Sequence, residues 1–201
     1  EWGYVIRTKP LFIDGRILLP THIETDWSSL VMIGEKDLSV WRQSSPIDTG
    51  EGFKKGNNEP AVVELSDGRL LMYMRSGSKR CIWMSLSLDR GLSWSPPAET
   101  DLPNPNSAID LLRLDSDGII LAYNNTSGGR TPLTLALSGD DCKSWCRSRD
   151  VESGPGEFSY PAMIQTSNGL IHLTFTYKRE GIKHVWLKES WIAGTGKDLD
   201  K

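Results

Sequence analysis

The chain has 201 residues, 38% of them hydrophobic and 24% charged, with a net charge of −3. That length buries a sizeable core in one domain or two. The acidic balance argues against a phosphate-backbone partner such as nucleic acid, and no run of about 18 apolar residues offers a membrane span. There is no signal-peptide pattern, and the chain begins at Glu1 rather than Met, which leaves room for a leader or a longer N-terminal part. Cys81, Cys142 and Cys146 are too few for a disulfide framework, and the CxxxC spacing of the last two has no second Cys or His cluster to complete a zinc site. No metal or cofactor motif is read. Asn124-Asn125-Thr126-Ser127 holds two overlapping glycosylation sequons, a pattern common by chance.

Along the chain a polar residue and a glycine precede an apolar run four times. Asp14-Gly15 leads Arg16 to Leu19, Asp67-Gly68 leads Arg69 to Met72, Asp117-Gly118 leads Ile119 to Ala122, and Asn168-Gly169 leads Leu170 to Leu173. The steps are 53, 50 and 51 residues, and Trp41, Trp94, Trp145 and Trp191 trail the turns by 27, 27, 28 and 23. A fixed period near 50 means one small unit used repeatedly.

The second copy is the clearest. Ala61–Leu65 is predicted as a strand, Ser66 to Arg69 as a tight hairpin turn that Asp-Gly suits, Leu70–Met74 as the returning strand and Arg80–Leu86 as a third. A short fourth strand is predicted from Trp94, ended by Pro96 and Pro97. The third copy repeats this order through Leu111–Leu114, Ile119–Tyr123 and Leu133–Leu137. The fourth runs Ala162–Gln165, Leu170–Tyr177 and Lys183–Leu187, and no useful helical period appears. Four strands per unit at this period predict an all-β chain, a β-propeller of four-stranded antiparallel blades roughly at 1–55, 56–103, 104–155 and 156–201. A β-sandwich also has many short strands, but it does not require the turn and the tryptophan to recur. WD-type and kelch-type propellers are disfavoured, because no Trp-Asp pair or recurrent paired glycine is present.

Ser87 to Trp94 matches the Asp-box S-x-D-x-G-x-[ST]-W in full. Ser138 to Trp145 matches it with Cys142 in place of glycine, and Gly34 to Trp41 is a degraded copy. The box reads as structural: the aspartate bonds backbone N–H groups within the turn and the tryptophan packs on the blade.

Hairpin register predicts which residues meet at the opposite end of each blade. Glu59 lies eight residues before Asp67 and Arg75 eight after it. Tyr160 lies eight before Asn168, Asn125 eight after Asp117 and His22 eight after Asp14. With Lys9 and Arg130, these residues collect at one mouth, away from the Asp-box turns. Plainer readings stand beside this one: Glu59 as a solvated strand end, Tyr160 as a blade-edge anchor, Arg75 as an ion-pair partner of Glu59, His22 and Lys9 as peripheral, His172 and His184 as strand residues.

The segment Asn58-Glu59-Pro60-Ala61 to Arg75 resembles the sialidase segment in which a glutamate opens one strand and an arginine closes the next. Ser159-Tyr160-Pro161-Ala162-Met163 with Asn168-Gly169 resembles the later segment that carries the sialidase tyrosine nucleophile. From about Lys9 to Ile192 the chain resembles the BNR-repeat, sialidase-like family. The resemblance implies a six-bladed propeller of which this chain supplies about four blades. It also implies an exo-α-sialidase that removes terminal sialic acid from glycans. Tyr160 would be the nucleophile, Glu59 its base, and Arg75, Arg130 and Asn125 the groups that hold an acidic sugar. Arg130 matches the family spacing less well than Arg75, since Ala136 falls nearer the expected place. The first arginine and the acid/base aspartate of the family have no counterpart here; in the family both come from N-terminal blades, which implies either that this chain is truncated or that its parent has lost them. The substrate class favours a secreted or periplasmic protein. A uronic-acid polysaccharide lyase and a non-catalytic glycan-binding propeller are the alternatives.

Overall fold

Hairpins generate nearly everything in this chain. A computed structural model describes residues 3–145 and 147–194, so Cys146 lies outside the described residues. The fold is all-β: four antiparallel sheets follow one another in sequence as the blades of a β-propeller, with one short helix. The chain forms two compact units, residues 1–102 and 103–201.

In the first unit the opening sheet holds β1 (Tyr4–Ile6), β2 (Leu11–Ile13), β3 (Arg16–Ile23), β4 (Ser28–Gly34) and β5 (Trp41–Gln43). β1 and β2 both pair with β3, as two halves of one broken strand. The next sheet is a meander of β6 (Asn57–Glu64), β7 (Leu70–Ser76), β8 (Cys81–Ser87) and β9 (Ala98–Pro103). Leu18, Val31, Ile33, Val62, Leu70, Met72, Met74 and Trp83 form the core of this unit. β7 is buried on both faces, which explains its continuous apolar run.

The second unit opens with the meander β10 (Asp110–Arg113), β11 (Ile119–Tyr123), β12 (Leu133–Ser138) and β13 (Arg147–Glu152). The last sheet holds β14 (Phe158–Gln165), β15 (Ile171–Tyr177) and β16 (Gly181–Leu187), followed by the one-turn helix α1 (Glu189–Ile192). Phe158, Met163, Leu173, Phe175, Val185 and Trp191 share its core with Leu112, Ile120, Leu133 and Leu135. Each such buried side chain contributes roughly 1.5–3 kcal/mol.

Three expectations need correction. The fourth strand of the second sheet does not start at Trp94. Ser95 still bonds back to Leu86 O, the two prolines lack donors, and β9 begins only at Ala98. The last sheet has three strands among the described residues, not four. Trp191, at the odd spacing of 23, lies in a short helix, α1, where no helical period is read, with the Arg149 guanidinium 4.5 Å from its ring centre.

Both Asp-boxes close in the same way. Asp89 accepts from the Ser93 N–H at 2.9 Å, the Ser93 hydroxyl at 2.5 Å and the Ser87 hydroxyl at 2.9 Å, while Ser87 Oγ accepts from Gly91 N–H at 2.8 Å. Asp140 accepts from Ser144 N–H at 2.9 Å, Ser144 Oγ at 2.6 Å and Ser138 Oγ at 2.7 Å, and Cys142 N–H donates to Ser138 Oγ at 2.9 Å. Gly91 takes φ 89°, and a Cβ there would sit 2.9 Å from Leu18 Cδ2. Cys142 holds the same left-handed region at φ 62°, at a cost of about 1–2 kcal/mol for a side-chain-bearing residue. The degraded copy keeps its indole cap: Trp41 Nε1 donates to Leu38 O at 3.1 Å, as Trp94 Nε1 does to Gly91 O at 3.1 Å.

Asp89→Ala is expected to destabilise the protein by about 2 kcal/mol in urea unfolding, since it removes an acceptor of several hydrogen bonds. The Ser144 hydroxyl, then the Ser138 hydroxyl and the Ser144 N–H, hold the Asp140 carboxyl down to about 2. Because the folded value lies below the unfolded one, this stabilisation is complete above about pH 4 and is lost as pH falls towards 2. Thermal melts between pH 4 and 2 should show a shallower decline for Asp140→Asn than for the native chain.

Candidate functional site

The inner strands β6 and β14 carry the same fault at the same place. β6 pairs Asn58 with Arg75, then slips one residue before Ala61 pairs with Tyr73. β14 pairs Ser159 with Thr176, then slips before Ala162 pairs with Thr174. Each slip contains an X-Pro pair, Glu59-Pro60 and Tyr160-Pro161, and the residue before proline is left-handed: φ is 47° at Glu59 and 54° at Tyr160. A bulge leaves one residue out of the ladder and re-aims its side chain. A left-handed residue with a side chain costs of order 1–3 kcal/mol and persists only where its surroundings hold it. Sequence counting from the turns places both residues at matching strand ends. It misses the bulges, although a proline inside an inner strand is the signal for them.

Around Glu59 the first unit builds a buried charged cluster. Glu59 and Arg75 are 9% and 8% exposed, and Arg75 Nη1 lies 3.0 Å from Glu59 Oε1. Glu59 Oε2 is buried, has no hydrogen-bond partner and faces Arg7 Nε at 3.8 Å. Arg7, from the break between β1 and β2, is a site residue that sequence reasoning missed. The Thr8 hydroxyl donates to Pro60 O at 2.6 Å, and the Glu59 N–H donates to His22 Nδ1 at 3.3 Å. Arg75 also lies over Trp27, 5.5 Å from its ring centre, and Trp27 meets Phe53 edge-on. A cleft of about 530 Å³ beside this cluster is lined by Gly3, Tyr4, Val5, Glu24, Thr25 and Phe53. Lys9 is half-buried in the same break as Arg7.

Around Tyr160 the second unit builds a more open cluster. Tyr160 is 40% exposed, between buried Ser159 and Met163. The Arg130 guanidinium stands 5.3 Å from its ring centre. Arg130 precedes β12 rather than opening it. It is held by Glu157 Oε1 at 2.9 Å and by Asn106 O at 3.1 Å. Glu157 also takes Arg179 Nε at 2.7 Å and the Ser159 hydroxyl at 2.8 Å. Burial pushes the Glu157 carboxyl up, but Arg179, Ser159 and Arg130 together outweigh it and hold the carboxyl below its usual range. Glu157 lies just before β14 and Arg179 in the turn between β15 and β16, so neither is reached by counting from Asn168-Gly169 to the paired strand ends. Asn125 is exposed just past β11. Its neighbour Asn124 is buried and spans the sheets, donating to Pro132 O and Phe158 O while accepting from Ser107 Oγ. The Tyr160 bulge has its own clamp: buried Asp110 accepts from Met163 N–H at 2.7 Å.

His172 and His184 are strand residues on neighbouring strands, stacked with ring nitrogens 3.0 Å apart.

Repeated antiparallel sheets, Asp-box turns and polar residues raised on inner-strand bulges define a β-propeller of the Asp-box type. Residues 3–173 match the model of the BNR repeat-like domain, and the chain belongs to this BNR, sialidase-like family. It is 28% identical over 159 residues to a sialidase of Micromonospora viridifaciens, covering 72% of this chain and 24% of that protein. The fold is similar to the NanB sialidase of Streptococcus pneumoniae, with a TM-score of 0.77 at 18% identity, over 91% of this chain and 30% of that one. It is also similar to an α-L-arabinofuranosidase of Fusarium graminearum solved with arabinobiose, with a TM-score of 0.67 at 15% identity, over 100% of this chain and 68% of that one. The chain thus spans about a quarter of the curated sialidase's length.

Replacing Asp110 by alanine is expected to cost about 2 kcal/mol or more, because it strips a buried N–H of its partner. Hydrogen exchange at Met163 should accelerate with it, more than at Leu173 on the neighbouring strand.

Proposed function

We propose that the chain is the larger part of the catalytic face of a retaining exo-α-sialidase, four blades of a six-bladed propeller. The observation that carries this reading is the paired bulge, which raises a carboxylate and a phenol at equivalent positions of two blades. Tyr160 is the nucleophile and Glu59 its base. Arg75, Arg130 and Asn125 bind an acidic sugar, and the remaining arginine and the acid/base aspartate come from blades outside this chain.

The chemistry follows from charge. A sialoside carries its carboxylate on the anomeric carbon. An anionic nucleophile about 4 Å away would meet a repulsion of roughly 4 kcal/mol at an effective dielectric near 20. A neutral phenol avoids that repulsion, provided a base takes its proton during attack. Glu59 suits the role in one respect: Arg75 occupies Oε1, and Oε2 keeps its lone pairs without a hydrogen-bond donor. Attack joins Tyr160 Oη to the anomeric carbon as Glu59 takes the phenol proton and the acid/base aspartate outside this chain protonates the departing glycosidic oxygen; that aspartate then deprotonates the water that cleaves the glycosyl-tyrosine bond, and Glu59 returns its proton to Tyr160. Arg130, over the Tyr160 ring, puts positive charge beside the developing phenoxide. A guanidinium stays charged throughout and binds a carboxylate at two points.

A second reading is a glycan-binding propeller without turnover. The double embrace of Glu59 by Arg7 and Arg75 favours it, because a carboxylate held by two cations gives up its lone pairs reluctantly. A uronate lyase on the same scaffold would instead announce itself by an unsaturated product absorbing in the ultraviolet.

Hydrolysis of a fluorogenic sialoside by the full-length protein is the test. Tyr160→Phe should lower kcat by at least about a thousandfold while sialoside binding stays within a few-fold. Undiminished turnover in Tyr160→Phe would remove Tyr160 as nucleophile, and binding with no turnover in the native protein would favour the second reading.

A further inference from the structure

We infer that His22 is the positioning residue for Glu59, acting as a neutral imidazole whose Nδ1 accepts the bulged backbone N–H. This rests on the reading of Glu59 as the base. His22 is 2% exposed, on β3, opposite Val5 of β1 and Ser29 of β4. Its Nδ1 lies 3.3 Å from Glu59 N, and its Nε2 lies 3.0 Å from Glu24 Oε2.

A backbone N–H only donates. Nδ1 therefore carries no proton, and the ring hydrogen sits on Nε2, pointing at Glu24. The arrangement has one consistent protonation state. In a bulge the extra residue has no ladder partner, so its N–H must find an acceptor elsewhere. His22 supplies that acceptor, and the Thr8 hydroxyl holds the next carbonyl, Pro60 O. Glu59 is thus fixed on both sides of a left-handed backbone, and its carboxylate stays aimed between Arg75 and Arg7.

A doubly protonated ring would set Nδ1–H against Glu59 N–H and release the bulge. The charged group in contact with the ring is Glu24, at Nε2, and the residues paired with His22 on β1 and β4 are Val5 and Ser29.

The experiment pairs His22→Asn, which keeps an acceptor near the Nδ1 position and does not titrate, with His22→Phe, which has none. Nitrogen NMR of the unmodified protein should show the Nε2–H tautomer at neutral pH. Amide exchange at Glu59 should be fast in His22→Phe and slow in His22→Asn. With a fluorogenic sialoside, His22→Phe should lose about 100-fold in kcat with KM within threefold. His22→Asn should recover most of that loss. An Nδ1–H tautomer, or native protection of the Glu59 amide in His22→Phe, would overturn the inference. If the native protein hydrolyses no sialoside, the proposed function falls, and the tautomer and exchange measurements still decide the role of His22.

Discussion

A single unpaired peptide N–H shapes the candidate site. Where β6 slips by one residue, Glu59 leaves the ladder, and its amide must be satisfied by a side chain or stay buried at a cost of about 1–3 kcal/mol. His22 meets that demand, and the rest follows from it. The left-handed turn of the backbone directs the carboxylate to Arg75, Arg75 reaches over Trp27, and Trp27 leans on Phe53. In the second unit the bulge at Tyr160 lifts a phenol beside Arg130, and Asp110 takes the Met163 N–H just past the slip.

This division separates what holds the sheets from what varies on them. The Asp-box turns are closed by bonds among eight consecutive residues, so their stability depends little on the opposite strand ends. The opposite strand ends carry the two bulged left-handed residues, Glu59 and Tyr160, and the buried Glu59–Arg75 pair. A fold built this way can change the chemistry of one end by exchanging clamps and bulged residues, while its turns remain intact. The likeness to both a sialidase and an arabinofuranosidase fits such a scaffold.

Much of the architecture is legible in the chain because its signals are local. Asp67-Gly68 and Asp117-Gly118 fix two hairpins, and the apolar runs after them become β7 and β11. The Asp-box pattern specifies its own hydrogen bonds. What is not legible depends on distant partners. β13, with the sequence RSRDVE, has no apolar alternation to mark its bounds, and it pairs along the edge of β12 as the fourth strand of its sheet. β9 starts after a proline pair rather than before it, because Ser95 is still tied to β8. Trp191 repeats the spacing loosely and ends up in a helix. Among the candidate residues, Glu59 and Arg75 in the first unit and Tyr160 in the second are reached by counting from the turns. Arg7, Glu157 and Arg179 lie outside the strands, in the β1–β2 break, before β14 and in the β15–β16 turn, where the count does not reach. The one-residue slips also escape it, because the count assumes an unbroken register.

The replacement of glycine by Cys142 in the second Asp-box has a chemical sequel. Burial, with Asp141 and Asp140 adding to it, pushes this thiol up to about 12. At neutral pH it therefore remains a protonated, poorly nucleophilic sulfur. Oxidants, alkylating reagents and partner disulfides meet little thiolate there, so the substitution adds a sulfur to the fold without adding a redox handle.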